Sequence, residues 1–206
     1  MSHSDDLQFE ALVKTLLGES VRSLAHCREQ LIVTVARKDL SHCLRTLRDN
    51  SQTLFKQLID ICAVDYPERE KRFEVHYNLL SYRHNRRIRL TVLLPETESL
   101  PTTTNLFKTS LWLEREIWDM FGIVFDEHPD LRRLLTDYNF EGHPLRKDFP
   151  LTGYVEVRYD EESKSVVYEP VSLPQEFRSF DLESPWEGIL QEPKMGDGLS
   201  EEKGAA

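Results

Sequence analysis

The sequence of 206 residues predicts an α+β fold: a mixed sheet with amphipathic helices on one face, followed by a long extended C-terminal arm. Three observations predict it. Phe73, Val75, Tyr77 and Leu79, then Ile88, Leu90, Val92 and Leu94, alternate with polar residues on either side of RHNRR, the pattern of a hairpin with one buried face. Three other segments carry apolar residues at helical spacing. Beyond Gly122, prolines at 129, 144 and 150 and glycines at 142 and 153 break up regular structure.

Taken in order, Ser4 followed by Asp5 and Asp6 reads as a helix start, with acids at the positive end of the helix dipole. Phe9, Leu12, Val13, Leu16 and Leu17 then recur at helical spacing up to Gly18. Residues 31–36 form a short β-branched strand, and residues 38–49 place Leu40, Cys43, Leu44 and Leu47 on one helical face. The apolar run 54–64 reads as another strand, or a strand entered through a bend. The hairpin over 72–94 follows, and its basic turn, with Arg83, Arg86, Arg87 and Arg89, either meets an acidic partner or is simply solvated.

Residues 96–104, rich in Pro and Thr, read as a connector. Ser110 is expected to cap a helix through Phe121 that ends at Gly122, with Leu113, Ile117 and Phe121 in one apolar row. Arg115 and Asp119, one turn apart, are expected to pair. Residues 126–153 form a long ordered loop. Strands over 154–159 and 165–169 flank the turn DEESK and sit apart from the main sheet. The expected organisation is therefore an α+β domain over 1–125, an extended partner-binding arm with a small hairpin over 126–190, and a disordered acidic tail over 191–206.

The formal net charge of −10 opposes a free-standing nucleic-acid binder, which needs clustered cations to displace phosphate counterions. The charge is uneven: from Asp160 onward 12 acidic residues face 4 basic ones, as expected for a solvated extension. No run approaches the roughly 18 consecutive apolar residues of a membrane-spanning helix. Cys27, Cys43 and Cys62 are widely spaced with no C-x-x-C, which suits a reducing compartment and neither a disulfide framework nor a zinc or iron–sulfur site. The N-terminus has the order of neither a secretory signal nor a transit peptide, so the chain is expected to act where it is made or to be already processed.

Chemistry-bearing residues concentrate between 114 and 150. His128 and His143 stand among Asp130, Asp137, Glu141 and Asp148, residue types that bind metals or move protons, and a stand-alone metal-dependent hydrolase is the alternative they raise. The spacing opposes it, with the two histidines 15 positions apart and no H-x-x-x-H or HExxH. Glu114 and Glu116 diverge on a helix and have Arg115 between them, which favours an ion-pair network over a two-carboxylate mechanism. Arg132, Arg133, Arg146 and Lys147 balance the four acids, and Trp118, Tyr138, Phe140 and Trp186 add rigid aromatic anchors, the composition of a protein interface. No phosphate-binding glycine loop or G-x-S-x-G is present.

The same stretch carries a dense resemblance: Glu114-Arg115-Glu116, Trp118-Asp119-Met120-Phe121-Gly122, His128-Pro129-Asp130-Leu131-Arg132-Arg133, Leu135-Thr136-Asp137-Tyr138, Phe140-Glu141-Gly142-His143-Pro144 and Arg146-Lys147-Asp148-Phe149-Pro150. With Val64-Asp65-Tyr66-Pro67 upstream and Ser184-Pro185-Trp186-Glu187 downstream, it resembles the 30-kDa (C) subunit family of respiratory complex I, NADH:quinone oxidoreductase. Asn139 stands where relatives often have Gly, and Trp118 points to the proteobacterial and mitochondrial branch.

The resemblance implies a redox-inactive core subunit of the hydrophilic arm, docked on the 49-kDa (D) subunit of the quinone site, beside the B subunit with its terminal cluster. Flavin mononucleotide, iron–sulfur clusters and quinone would belong to partner subunits or their interfaces, with none in this chain. It implies a peripheral place on the energy-transducing inner membrane, on the cytoplasmic face in a bacterium or the matrix face in a mitochondrion. The interface residues it implies are Glu114, Arg115, Glu116, Trp118, Asp119, His128, Asp130, Arg132, Arg133, Asp137, Tyr138, Phe140, Glu141, His143, Arg146, Lys147, Asp148 and Trp186.

Overall fold

The alternating segments of the sequence build a five-stranded mixed sheet, seen in a computed structural model that describes residues 3–28 and 30–175. Its strands are β1 (Val21–Cys27), β2 (Gln30–Val35), β3 (Gln57–Asp65), β4 (Phe73–Ser81) and β5 (Arg86–Leu94), in the order β1-β2-β5-β4-β3. All neighbours are antiparallel except β2 and β5, which run parallel. Between β4 and β5, Asn85 takes the positive φ of 47° that its short polar side chain tolerates.

Period-two alternation puts Leu31, Val33 and Val35 of β2, Phe73, Val75, Tyr77 and Leu79 of β4, and Ile88, Leu90, Val92 and Leu94 of β5 on one buried face. Helices α1 (His3–Leu17), α2 (Leu40–Asp49) and α3 (Ser110–Phe121) contribute to the same core, through Val13 and Leu17, then Leu40, Cys43, Leu44 and Leu47, then Ile117, Met120 and Phe121. Each fully buried Leu of this core contributes about 2–5 kcal/mol by the measure of truncation to Ala.

Two expectations need correction here, one is narrowed to its second alternative, and one strand was not foreseen. The run 54–64, read as a strand or as a strand entered through a bend, is the second of these: Thr53 Oγ1 donates to Leu47 O at 2.8 Å and the Phe55 N–H to the same carbonyl at 3.0 Å, capping α2, and the strand starts at Gln57. β1 escaped notice because it is an edge strand in which only Val21 and Leu24 are partly covered, so it shows no alternation. The connector is pinned: Leu100–Pro101 (β6) pairs in parallel with Phe125–Asp126 (β7). Finally, residues 126–154 belong to the compact unit of the sheet, and the second unit begins at Val155. That second unit holds the hairpin of β8 (Val155–Asp160) and β9 (Ser165–Pro170), strands that the sequence had located to within a residue. Trp186 and the expected acidic tail lie outside the described residues.

Candidate functional site

The α3 sequence SLWLEREIWDMF is apolar on one side and acidic on others, and it is buried on more sides than its periodicity announces. Ile117, Met120 and Phe121 face the core, while Glu114 and Asp119, both 0% exposed, point into polar nests made by other segments. Ser110 does not cap the helix: it is the first helical residue, Thr109 precedes it in αR geometry without a side-chain cap, and the Ser110 hydroxyl lies 2.8 Å from Thr103 Oγ1.

Asp119 organises the loop after the helix. Its Oδ2 accepts the N–H groups of Leu134, Leu135 and Thr136 at 3.0, 2.8 and 2.9 Å, and its Oδ1 accepts Arg133 Nη1 at 2.8 Å and Thr136 Oγ1 at 2.5 Å. Burial alone would push this carboxyl up, but the Thr136 hydroxyl and N–H, the Leu134 N–H and the Arg133 guanidinium outweigh it and hold Asp119 far below the ordinary carboxylate range. The expected Arg115–Asp119 pair does not form. Arg115 instead donates to the carbonyls of Arg132 and Arg133 at 3.1 and 2.9 Å and approaches Asp130 at 3.9 Å.

Glu114, five residues earlier on the helix, shifts the opposite way. Burial raises it, and Thr102 Oγ1 (2.6 Å), Thr103 Oγ1 (2.6 Å) and the Thr103 N–H (2.7 Å) only partly offset that, because no cation pairs with it at close range. His128 Nε2 is 3.9 Å away. That ring accepts the Asp130 N–H on Nδ1 at 3.1 Å, so its proton sits on Nε2, which donates to Leu111 O at 3.2 Å.

The last carbonyls of α3 have no intrahelical partner, and residues 143–146 supply them. His143 Nδ1 donates to Asp119 O at 3.0 Å, the Leu145 N–H to Met120 O at 3.0 Å, and Arg146 Nε to Phe121 O at 2.6 Å, placing a cation at the negative end of the helix dipole. Gly122, in left-handed geometry at φ 77°, makes this closure possible: a Cβ there would sit 2.6 Å from the His143 ring and 2.7 Å from Arg146. Gly122→Ala is therefore expected to cost about 2–3 kcal/mol, combining left-handed strain with a displaced carbonyl ligand. The shift of the urea unfolding midpoint checks this, and an unchanged midpoint would mean that the closure is loose.

The same loop is tied to the sheet edge. Arg72 grips Asp65 with two bonds (2.7 and 2.9 Å) and reaches Glu96 and Asp148 at 3.0 Å each; Glu96 also receives Arg146 at 2.8 Å, and Asp65 accepts the Lys147 N–H at 2.8 Å. The Arg72 guanidinium, against opposing burial, holds the Asp65 carboxyl below its usual range. Arg133 lies over Trp118 and Phe140, with ring centroids 5.7 and 5.6 Å away.

These contacts sort the expected interface residues. Glu114, Arg115, Asp119 and the His128 ring are internal fasteners with almost no surface to offer a partner. Trp118, Asp130, Arg133, Phe140, His143 and Arg146 are half-buried in the same framework. Glu116, Arg132, Asp137, Tyr138, Glu141, Lys147 and Asp148 remain exposed. The hydrolase alternative finds no support: both ring nitrogens of His128 are engaged within the chain, and among the described residues no group of three or more His, Cys, Asp or Glu could hold a metal ion.

Sequence reasoning picked out Tyr138 but missed the rest of the apolar surface. On the first unit, Leu135, Tyr138, Leu151 and Tyr154 are 62%, 81%, 84% and 67% exposed. In the hairpin unit, the register Val155↔Pro170, Val157↔Tyr168 and Tyr159↔Val166 puts these six residues on one face, because directly opposed residues of an antiparallel pair share a side. The other face carries Glu156, Arg158, Asp160 and Glu169, with Arg158 bonded to Glu169 at 3.1 Å. The valines and tyrosines of the apolar face are each 54–59% exposed. The alternation of the strands was the signal available, but it does not say whether such a face meets its own core or another chain.

The profile of the family described as "Respiratory-chain NADH dehydrogenase, 30 Kd subunit" matches residues 33–155, which take in β3, β4 and β5 of the main sheet and the Asp119-centred loop. The chain belongs to that family. It is 55% identical over 179 residues to the C subunit of the NADH-quinone oxidoreductase of Paramagnetospirillum magneticum, covering 87% of this chain and 88% of that one. The C subunit of the Methylobacterium radiotolerans enzyme is 58% identical over 172 residues (84% and 80% covered), and the NADH-ubiquinone oxidoreductase subunit 9 of Reclinomonas americana 53% over 164 residues (80% of each). The solved structure of the membrane-bound sulfane sulfur reductase, an archaeal respiratory membrane complex, contains a chain of the same fold, with a TM-score of 0.61 at 22% identity, covering 78% of this chain and 99% of that one. No helix among the described residues of this 30-kDa family member is long and apolar enough to cross a membrane.

Proposed function

We propose that this chain is a redox-inactive core subunit in the hydrophilic, quinone-module arm of a proton-pumping NADH:ubiquinone oxidoreductase, where it docks on the 49-kDa (D) subunit beside the B subunit. It carries no cofactor of its own; flavin mononucleotide and iron–sulfur clusters sit in its partners, with quinone at their site. Its place is peripheral, on the cytoplasmic or matrix face of the energy-transducing membrane.

The observation that carries this reading is the uncovered apolar face of the β8–β9 hairpin. A two-stranded hairpin is marginal in water on its own, and a face of three valines and two tyrosines gains most of its free energy when another chain covers it. Exposed Tyr138 and Leu151 extend the same chemistry to the loop of the first unit, where aromatic anchors backed by a rigid scaffold keep the entropy cost of docking low. The buried ion-pair hubs of Asp119 and Asp65 provide that scaffold.

Affinity purification of the tagged chain from its native membranes, with mass spectrometry of the eluate and an NADH:quinone assay, tests the reading. Co-elution with the 49-kDa and B subunits together with quinone reductase activity is expected. Recovery of the chain alone, or with a complex lacking that activity, would refute it.

A further inference from the structure

The chain carries a net charge of −10, yet one end of its main sheet is strongly basic. Arg28, in the turn between β1 and β2, and Arg86, Arg87 and Arg89, at the start of β5, line an open cleft of about 780 Å³. Among the described lining residues the one carboxylate is Asp6, and it is already engaged: Arg86 lies 3.8 Å from it, stacks over Phe9 at 4.7 Å and donates to Asp5 O at 3.1 Å. Arg89 donates to Asn78 Oδ1 at 3.0 Å, an uncharged amide. The side chains of Arg28 and Arg87 make no hydrogen bond or ion pair among the described residues. Among the described residues the cleft therefore holds an excess of positive charge without a matching carboxylate.

The strand register orders that charge. Arg87 and Arg89 are two residues apart on β5, so they project from the same face of the sheet, the one opposite to buried Ile88 and Leu90, with a separation of about 7 Å along the strand. Carboxylates at alternate positions of an extended peptide repeat with the same spacing, and the guanidinium fork matches a carboxylate in geometry as well as charge. Beside this row, half-buried Leu80 and Tyr82, the latter 69% exposed, offer contacts for the intervening side chains of such a peptide. A compact phosphate would use one or two guanidiniums and leave Leu80 and Tyr82 uncovered.

We infer that this cleft is a second docking site, which binds an extended acidic segment of another protein chain, with acids at alternate positions and apolar or aromatic residues between them. The inference concerns surfaces other than the hairpin face and the loop after α3, and its test is read on the chain itself, so it stands or falls separately from the subunit assignment.

The probe is a fluorescein-labelled nonapeptide with glutamates at alternate positions and Leu or Tyr between, followed by anisotropy on the purified full chain. Saturable binding is expected, weakened about tenfold or more by Arg28→Glu with Arg87→Glu and weakened again on raising salt from about 50 to 200 mM. Because both arginines are unpartnered, the double variant should melt at the wild-type temperature, and Arg158→Glu in the other unit should bind like the wild type. Peptide affinity unaffected by the double variant overturns the inference. So does failure of the peptide to bind where inorganic phosphate or phosphatidylglycerol vesicles bind in an Arg28- and Arg87-dependent way.

Discussion

Replacing Asp119 with Ala is expected to lower the unfolding free energy by about 3 kcal/mol, because it removes the fully buried carboxylate that pairs the half-buried Arg133 guanidinium and three backbone N–H groups. The loss should be local first: residues 130–146 would be cut by protease before the sheet melts. Acid provides an independent check with a definite sign. The carboxyl of Asp119 is held below its ordinary value in the folded chain, so its contribution is fully present above about pH 5 and disappears as pH falls through the folded value. Asp65, held down by Arg72, acts in the same direction, whereas Glu114, raised by burial, favours the folded chain more as it takes up its proton. Urea midpoints measured from pH 7 down to about pH 3 should therefore fall for the wild type and fall less steeply for Asp119→Asn, so that the two curves converge in acid. Parallel curves would show that the Asp119 nest is not what fastens the loop.

The largest effect on assembly is expected at the hairpin. Val157 and Tyr168 are cross-strand partners at the centre of its apolar face. Changing them together, Val157→Lys with Tyr168→Glu, keeps an attractive cross-strand pair while making the face unfit for burial against another chain. The chain's own stability should change little, since both side chains are more than half exposed. Association with partner subunits should weaken by about 3 kcal/mol or more, roughly a hundredfold, as for the central residues of an interface. The readout is the fraction of tagged chain recovered in the membrane-bound complex together with its NADH:quinone activity. Arg158→Ala, on the opposite face, should assemble almost normally. Full assembly of the double variant would remove the hairpin from the interface and with it the main support for the docking reading.

Regular elements were legible because their signal is local. The alternation in β4 and β5 and the spacing of Leu40, Cys43, Leu44 and Leu47 each follow from the geometry of a single segment. The edge strand β1 and the connector pinned by β6 and β7 were not legible, because each depends on what it is placed against. At the site the same division holds. The density of charge and aromatics between 114 and 150 marked the right segment, and the density of its motifs marked the family. It marked Tyr138, which is exposed, but did not reveal that Glu114 and Asp119 would be internal, nor that Leu135 and Leu151 would be exposed.

By itself, then, the sequence determined the element types, the one-sided sheet and the family, since periodicity and motif are properties of neighbouring residues. Only the tertiary structure decided which acids face inward and which cations hold them. Asp119 finds its partners 14 to 17 residues downstream, largely on backbone N–H groups that every residue except proline possesses, and Glu114 finds its own 11 and 12 residues upstream in a threonine run. A bond to a backbone donor leaves no mark on the amino-acid sequence, so it appears only when the chain has folded around it.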